Sequence, residues 1–278
     1  MLAELQAWRG VPLVSHLLAT ARASRILLWR EWRWRARASS VPEWSLEFAC
    51  LVHDVGKAWS AYQDDIRSKP EDKISLWGHE VLSAIPIYAL YRSCLRGGVE
   101  DPVLRGLAVA GISVLNHHHG MHERFSYRHF YTPYSITMIF KELFNRWGRR
   151  ESITELLYNI VNVLLEVTKL RYYDIFEILN QAANRIYPNE LLGEAKQGVR
   201  DVLDYSSRDK KLSAACVTAT GFLALADTIV ASLERNSFRI EYVLKRYAGR
   251  VLKEKLGENG AVEALSILVQ KIRPLYRT

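Results

Sequence analysis

His53-Asp54-Val55-Gly56-Lys57 closes an apolar run over residues 44–52, and Asn116-His117-His118-His119-Gly120 closes a second over 103–116. Neither run contains proline, and each is preceded by a helix-start signal, Pro42 for the first and Asp101-Pro102 for the second. Both therefore predict buried helices that deliver imidazole and carboxylate groups at their ends. A third element, Gly78-His79-Glu80, stands before the apolar stretch 81–95 and puts His79 at the start of a helix. Adjacent residues on a helix diverge by about 100°. His53 and Asp54 can then share one ion only from a helix end, or with Asp54 placed between two ions.

Working outward, Pro12 opens a predicted helix running to about Arg37. His16, Ala19, Ala23 and Leu27 share one face of it. Downstream, Thr220, Leu223, Asp227 and Val230 form one stripe of a helix over about 210–235. An acid on an apolar stripe is costly unless it is paired or binds a metal. Asp227 is then either half of a buried salt bridge or a ligand. His16 is either a core histidine bonded to backbone or a ligand. Seven of the eight histidines lie in or beside these segments, and neutral imidazole is the commonest protein metal ligand. No segment reads as a strand ladder, so the expected fold class is all-α.

The ordered set His16, His53-Asp54, Gly56-Lys57, Gly78-His79-Glu80, His118-His119-Gly120 and Asp227 resembles the HD phosphohydrolase superfamily. More narrowly, it resembles the stand-alone HD nuclease of type I CRISPR interference systems. The resemblance covers about residues 11–235 and includes Leu225 to Ser232, which looks like that family's AD-x-x-x-S element. It implies an HD-domain helical core with additional helices between the HHG element and the last Asp ligand. It also implies two divalent ions, Mn, Ni, Co, Fe or Mg. His16, His53, Asp54 and Asp227 would hold one ion and His79, His118 and His119 the second, with Asp54 bridging. Asp54 and Lys57 would be catalytic, Lys57 neutralising charge on a phosphate. His117 and His122 fall outside that ligand set. The implied reaction is hydrolysis of single-stranded DNA, endo- or exonucleolytic, beside a separate CRISPR-associated helicase and a crRNA surveillance complex. There is no GxxxxGK[ST] motif for a motor of its own. Two alternatives are an HD phosphohydrolase acting on a small nucleotide, with a closed pocket, and a non-catalytic subunit that docks a helicase.

The 278 residues read as one domain, with core motifs over about 11–122 and 210–235. A helical insertion spans about 123–209 and closing helices span 236–278. Hydrophobic residues make up 49 %, which argues against disorder over most of the chain. Net charge is +8, which suits an anionic partner. Much of it sits early: the first 40 residues hold seven arginines against two glutamates. Arg30, Arg33 and Arg37 share a helix face interleaved with tryptophans. This is either a nucleic-acid-binding face, guanidinium on phosphate and indole on base, or a solvated face with the tryptophans as anchors. Cys50, Cys94 and Cys216 form no CxxC pair, which excludes a zinc ribbon and fits buried thiols in the cytoplasm. Residues 1–10 have no secretory pattern. The longest apolar run, about 212–230, is interrupted by Thr, Gly and Asp, so no membrane span is expected.

Overall fold

The computed structural model describes residues 4–70, 73–76, 78–118, 153–169, 173–187 and 190–276. The chain is predominantly helical, as expected of the all-α class. The described helices are α1 (Leu13–Leu27), α2 (Trp29–Ala38), α3 (Trp44–Val52), α4 (Ser60–Ser68), α5 (His79–Arg96), α6 (Asp101–Asn116), α7 (Ile153–Lys169), α8 (Tyr173–Ala183), α9 (Leu191–Arg208), α10 (Lys210–Arg235), α11 (Ile240–Lys245) and α12 (Tyr247–Ile272). A 3-10 turn, Val55–Ala58, links α3 to α4, and another, Arg273–Tyr276, follows α12.

The core forms where α5 packs against both α6 and α9, and where α1, α3, α6 and α10 pack on one another. Every residue of α3 from Ser45 to Val52 is buried, and so is α6 from Leu104 to Asn116. The two runs that the sequence marks as buried helices thus lie side by side, with their polar C-terminal ends available to one site. From the predicted insertion, α9 buries Leu191, Ala195 and Val199, packs on α5, and so belongs to the same core.

Three features differ from the sequence expectation. The helix predicted to run from Pro12 to about Arg37 is broken at Leu28 (φ −130°, ψ −1°) into α1 and α2. No proline or glycine marks that break. A short antiparallel hairpin, β1 (Gln6–Trp8) with β2 (Val11–Pro12), precedes α1 and turns through Gly10 at φ +76°. The side chain of Gln63 ties it to α4, accepting from Gln6 N–H and donating to Gln6 C=O, each at 2.9 Å. Finally, α10 is long and apolar enough to cross a membrane by length and composition, despite the interruptions in its sequence. It packs against α1, α3 and α6, burying Leu223, Ala226, Ile229 and Val230.

Candidate metal centre

Two glycines bring the HDxGK turn against α5. A Cβ on Gly56 would lie 2.3 Å from His79 O and 2.8 Å from Leu82 Cβ. Gly56 therefore permits a close backbone approach, and its N–H donates to Ser83 Oγ at 2.8 Å. Gly78 has φ +86°, a left-handed conformation that favours glycine, and starts α5 so that His79 faces the turn. His53 caps the C-terminus of α3, and His117 caps that of α6 with helical φ/ψ.

Five helices then supply two clusters. His16, His53, Asp54 and Asp227 form one, and His79, His117 and His118 the other. Within each, one ligand atom per residue lies within 4.8 Å of the rest. In the first, His16 Nε2 is 3.3 Å from Asp54 Oδ2 and 3.2 Å from Asp227 Oδ1, and His53 Nε2 is 3.5 and 3.4 Å from the same oxygens. In the second, His118 Nε2 is 3.0 Å from His79 Nε2. Asp54 joins the two. Its Oδ2 faces the first cluster, while its Oδ1 lies 2.9 Å from His79 Nε2 and 4.0 Å from His117 Nε2.

On four of the five rings the other nitrogen is already used. Nδ1 of His53 donates to Cys50 O at 2.8 Å and Nδ1 of His117 to Val114 O at 2.7 Å. Each satisfies one of the four carbonyls that a helix C-terminus leaves spare. Nδ1 of His79 bonds Leu76 O, and Nδ1 of His16 lies 3.0 Å from both oxygens of Glu234. With a proton fixed on Nδ1, each ring turns its Nε2 inward, where the nitrogen becomes a metal ligand once it carries no proton. His16 Nε2, His53 Nε2, His117 Nε2 and Asp227 Oδ1 are buried and complete no hydrogen bond. Unpartnered buried polar atoms are costly, and these all face common space. A His/Asp donor set of that kind fits a divalent cation. The 2.9 Å approach of His79 Nε2 to Asp54 Oδ1 likewise sets two acceptors together unless a proton or a cation lies between them.

Electrostatics follow from that crowding. Burial opposes the charge of His16, yet the carboxylates of Glu234, Asp227 and Asp54 outweigh it and hold the imidazole well above its usual range. For His79 burial again opposes, and Asp54 raises the value. Burial, then the neighbouring His118 and His53, push His117 well below. Burial and His79 take His118 down to about 4. Asp54 and Asp227 stay well below the usual carboxylate range although burial opposes it. The histidines and Lys57 hold Asp54 there, and His16 and His53 hold Asp227.

Of the residues singled out by sequence, His16, His53, Asp54, His79, His118 and Asp227 come together. His119 and His122 lie outside the described residues. His117, which the resemblance leaves outside the ligand set, is fully buried within it. Lys57 is at the centre but is not turned to open space. Its side chain is 1 % exposed, with the ammonium 2.5 Å from Asp54 Oδ2 and 3.6 Å above the ring centroid of Trp8. Arg30, Arg33 and Arg37 are elsewhere. They lie on α2, beyond the far end of α1, and Leu27 alone is about 16 Å along that helix from His16. Arg33 and Arg37 both pair with Glu43, at 3.1 and 2.8 Å. The tryptophans divide between the two readings. Trp32 is buried, its indole N–H on Glu43 O, while Trp34 is 66 % exposed.

Three contributors were not read from the sequence. Trp8 stacks on Lys57 and meets His16 edge-on. Glu234 and Tyr276 stand behind His16. Glu234 had a signal, since it falls seven residues after Asp227 and two helical turns bring it to the same face.

Compared with known proteins, the chain matches no family model, no curated protein and no solved structure.

Proposed function

We propose that this protein is a metal-dependent phosphodiesterase of the HD type that hydrolyses single-stranded DNA in the cytoplasm. In this reading it works alongside a separate helicase and a crRNA-guided complex. The observation that carries it is the position of Asp54 between two sets of inward-facing imidazoles, one oxygen toward each. Two ions would be held by His16, His53, Asp54 and Asp227 on one side and by His79, His117 and His118 on the other. Bound there, they would activate water and stabilise the leaving oxygen of an in-line displacement. The chain's own part is to orient the ligands and to keep the centre dry, so that the charges act at low dielectric. Lys57 balances the charge of Asp54 and would supply the positive charge that a phosphate oxygen needs at this centre. The histidine content suits Mn, Fe, Co or Ni better than Mg.

A second reading, a phosphohydrolase of small nucleotides, is favoured by the burial of the cluster (His16, His53 and His117 at 0 %, Asp54 at 1 %) and by the placement of Arg30, Arg33 and Arg37 on α2, outside both clusters. One experiment separates the two. The chain is incubated with labelled single-stranded DNA and with a panel of nucleotides, under EDTA or with Mn, Ni, Co or Mg. Metal-dependent cutting of DNA alone is expected. Nucleotide turnover without DNA cutting would favour the second reading.

A further inference from the structure

We propose that Glu234 and Tyr276 are positioning residues for the metal centre, holding His16 in the tautomer and orientation of a ligand. The inference rests on the metal-centre reading and adds a specific outer support to it. Both oxygens of Glu234 lie 3.0 Å from His16 Nδ1, on the side of the ring away from Asp54 and Asp227. The Glu234 side chain is fully buried. A buried carboxylate needs partners, and its hydrogen bonds run to His16 and to Tyr276, whose hydroxyl donates to Oε1.

The spacing on α10 makes this arrangement specific. Asp227 and Glu234, two turns apart, reach the two nitrogens of one ring, so a single helix sets the ring from both edges. Tyr276 arrives from the turn Arg273–Tyr276, which α1 holds in place. Ser15 Oγ donates to Leu275 O at 2.6 Å, one residue from His16, and Arg22 donates to Lys271 O at 2.5 Å. The ring of Tyr276 packs edge-on against Phe238, with centroids 5.3 Å apart. A carboxylate on the far N–H of a ligand histidine fixes the lone pair toward the metal and raises its basicity. The turn after α12 thereby becomes part of the centre although it touches none of the inward-facing atoms.

The test is Mn2+ binding by the metal-depleted full chain, with free Mn2+ read from its electron paramagnetic resonance signal. Glu234→Ala is expected to bind about 10- to 100-fold more weakly. Glu234→Gln keeps an oxygen to accept the Nδ1–H and is expected to recover most of that loss. Tyr276→Phe is expected to bind more weakly by a smaller but measurable factor, about three- to tenfold. Wild-type affinity in Glu234→Ala overturns the proposal. So does equal weakening in the alanine and glutamine variants, which would mark a missing buried charge rather than a missing acceptor. If the alanine variant does not fold, Tyr276→Phe decides, and wild-type affinity there overturns the proposal. His53→Ala is the control for the underlying reading. If it alone is weakened, only the role of Glu234 and Tyr276 fails. If it also binds as wild type, the metal centre itself fails, and this inference with it.

Discussion

At the scale of single residues, Lys57 depends on two neighbours. It is buried, and its ammonium has Asp54 on one side and the face of Trp8 on another. Removing one partner of a buried ion pair leaves an uncompensated charge and costs about 3–5 kcal/mol. Asp54→Ala in the metal-free chain is therefore expected to lose about that much unfolding free energy in urea, and Asp54→Ala with Lys57→Met to recover much of it. A loss below about 1 kcal/mol would mean that Lys57 reaches water once released. Loss of hydrolysis in Asp54→Ala should be judged after that correction. The same scale explains which histidines were legible. His16, His53, His79 and Asp227 each sit at a single defined position on a periodic helix. In the run 117–119 each step turns the side chain by about 100°, so the choice depends on how far α6 continues. Its helical backbone reaches His117 (φ −62°, ψ −32°) and swings that ring inward.

At the scale of elements, the long helix that carries Asp227 and Glu234 is set by its N-cap. The carboxylate of Asp209 accepts from the N–H groups of Lys211 and Leu212 at 2.9 and 3.0 Å and also meets Arg105, 2.8 Å away. Arg105 in turn donates to Ser39 O and Tyr205, which joins α2, α6, α9 and α10. Asp209→Ala should destabilise the chain by about 1–2 kcal/mol at neutral pH. Backbone N–H groups and Arg105 hold this carboxyl below its usual value. The stabilisation is thus present above the unfolded carboxyl value of about 4 and is lost as pH falls through the folded one. Urea midpoints of variant and wild type should begin to converge below about pH 4 and meet once the pH is below the folded value; a gap that persists below the folded value would assign the effect to packing. Helix existence was legible because the apolar runs are long and their starts are marked by Pro42 and Pro102. The break at Leu28 was not, because the residues across it, Leu27-Leu28-Trp29, carry no proline or glycine. The hairpin was missed although Arg9-Gly10 is a turn signal, because its strands are only three and two residues long.

At the scale of the whole molecule, the charge on α2 and the metal centre are separate features. If α2 guides DNA, reversing Arg30, Arg33 and Arg37 to Glu should weaken single-strand binding and lower the salt slope by about 0.7 for each phosphate no longer neutralised. Mn2+ affinity should stay unchanged. An unaltered salt slope would make that helix a solvated face held by Glu43. The clusters themselves draw on residues 16 to 227, and α1, α3, α5, α6 and α10 must all be packed before the ligands meet. The central claim is that these inward-facing lone pairs hold divalent metal. Its most direct test is a crystal of the full chain grown with Mn2+ and measured at the manganese absorption edge. Two anomalous peaks are expected, one among His16, His53, Asp54 and Asp227 and one among His79, His117 and His118, with Asp54 between them. No peak at either cluster, with Mn2+ bound elsewhere or not at all, would contradict it.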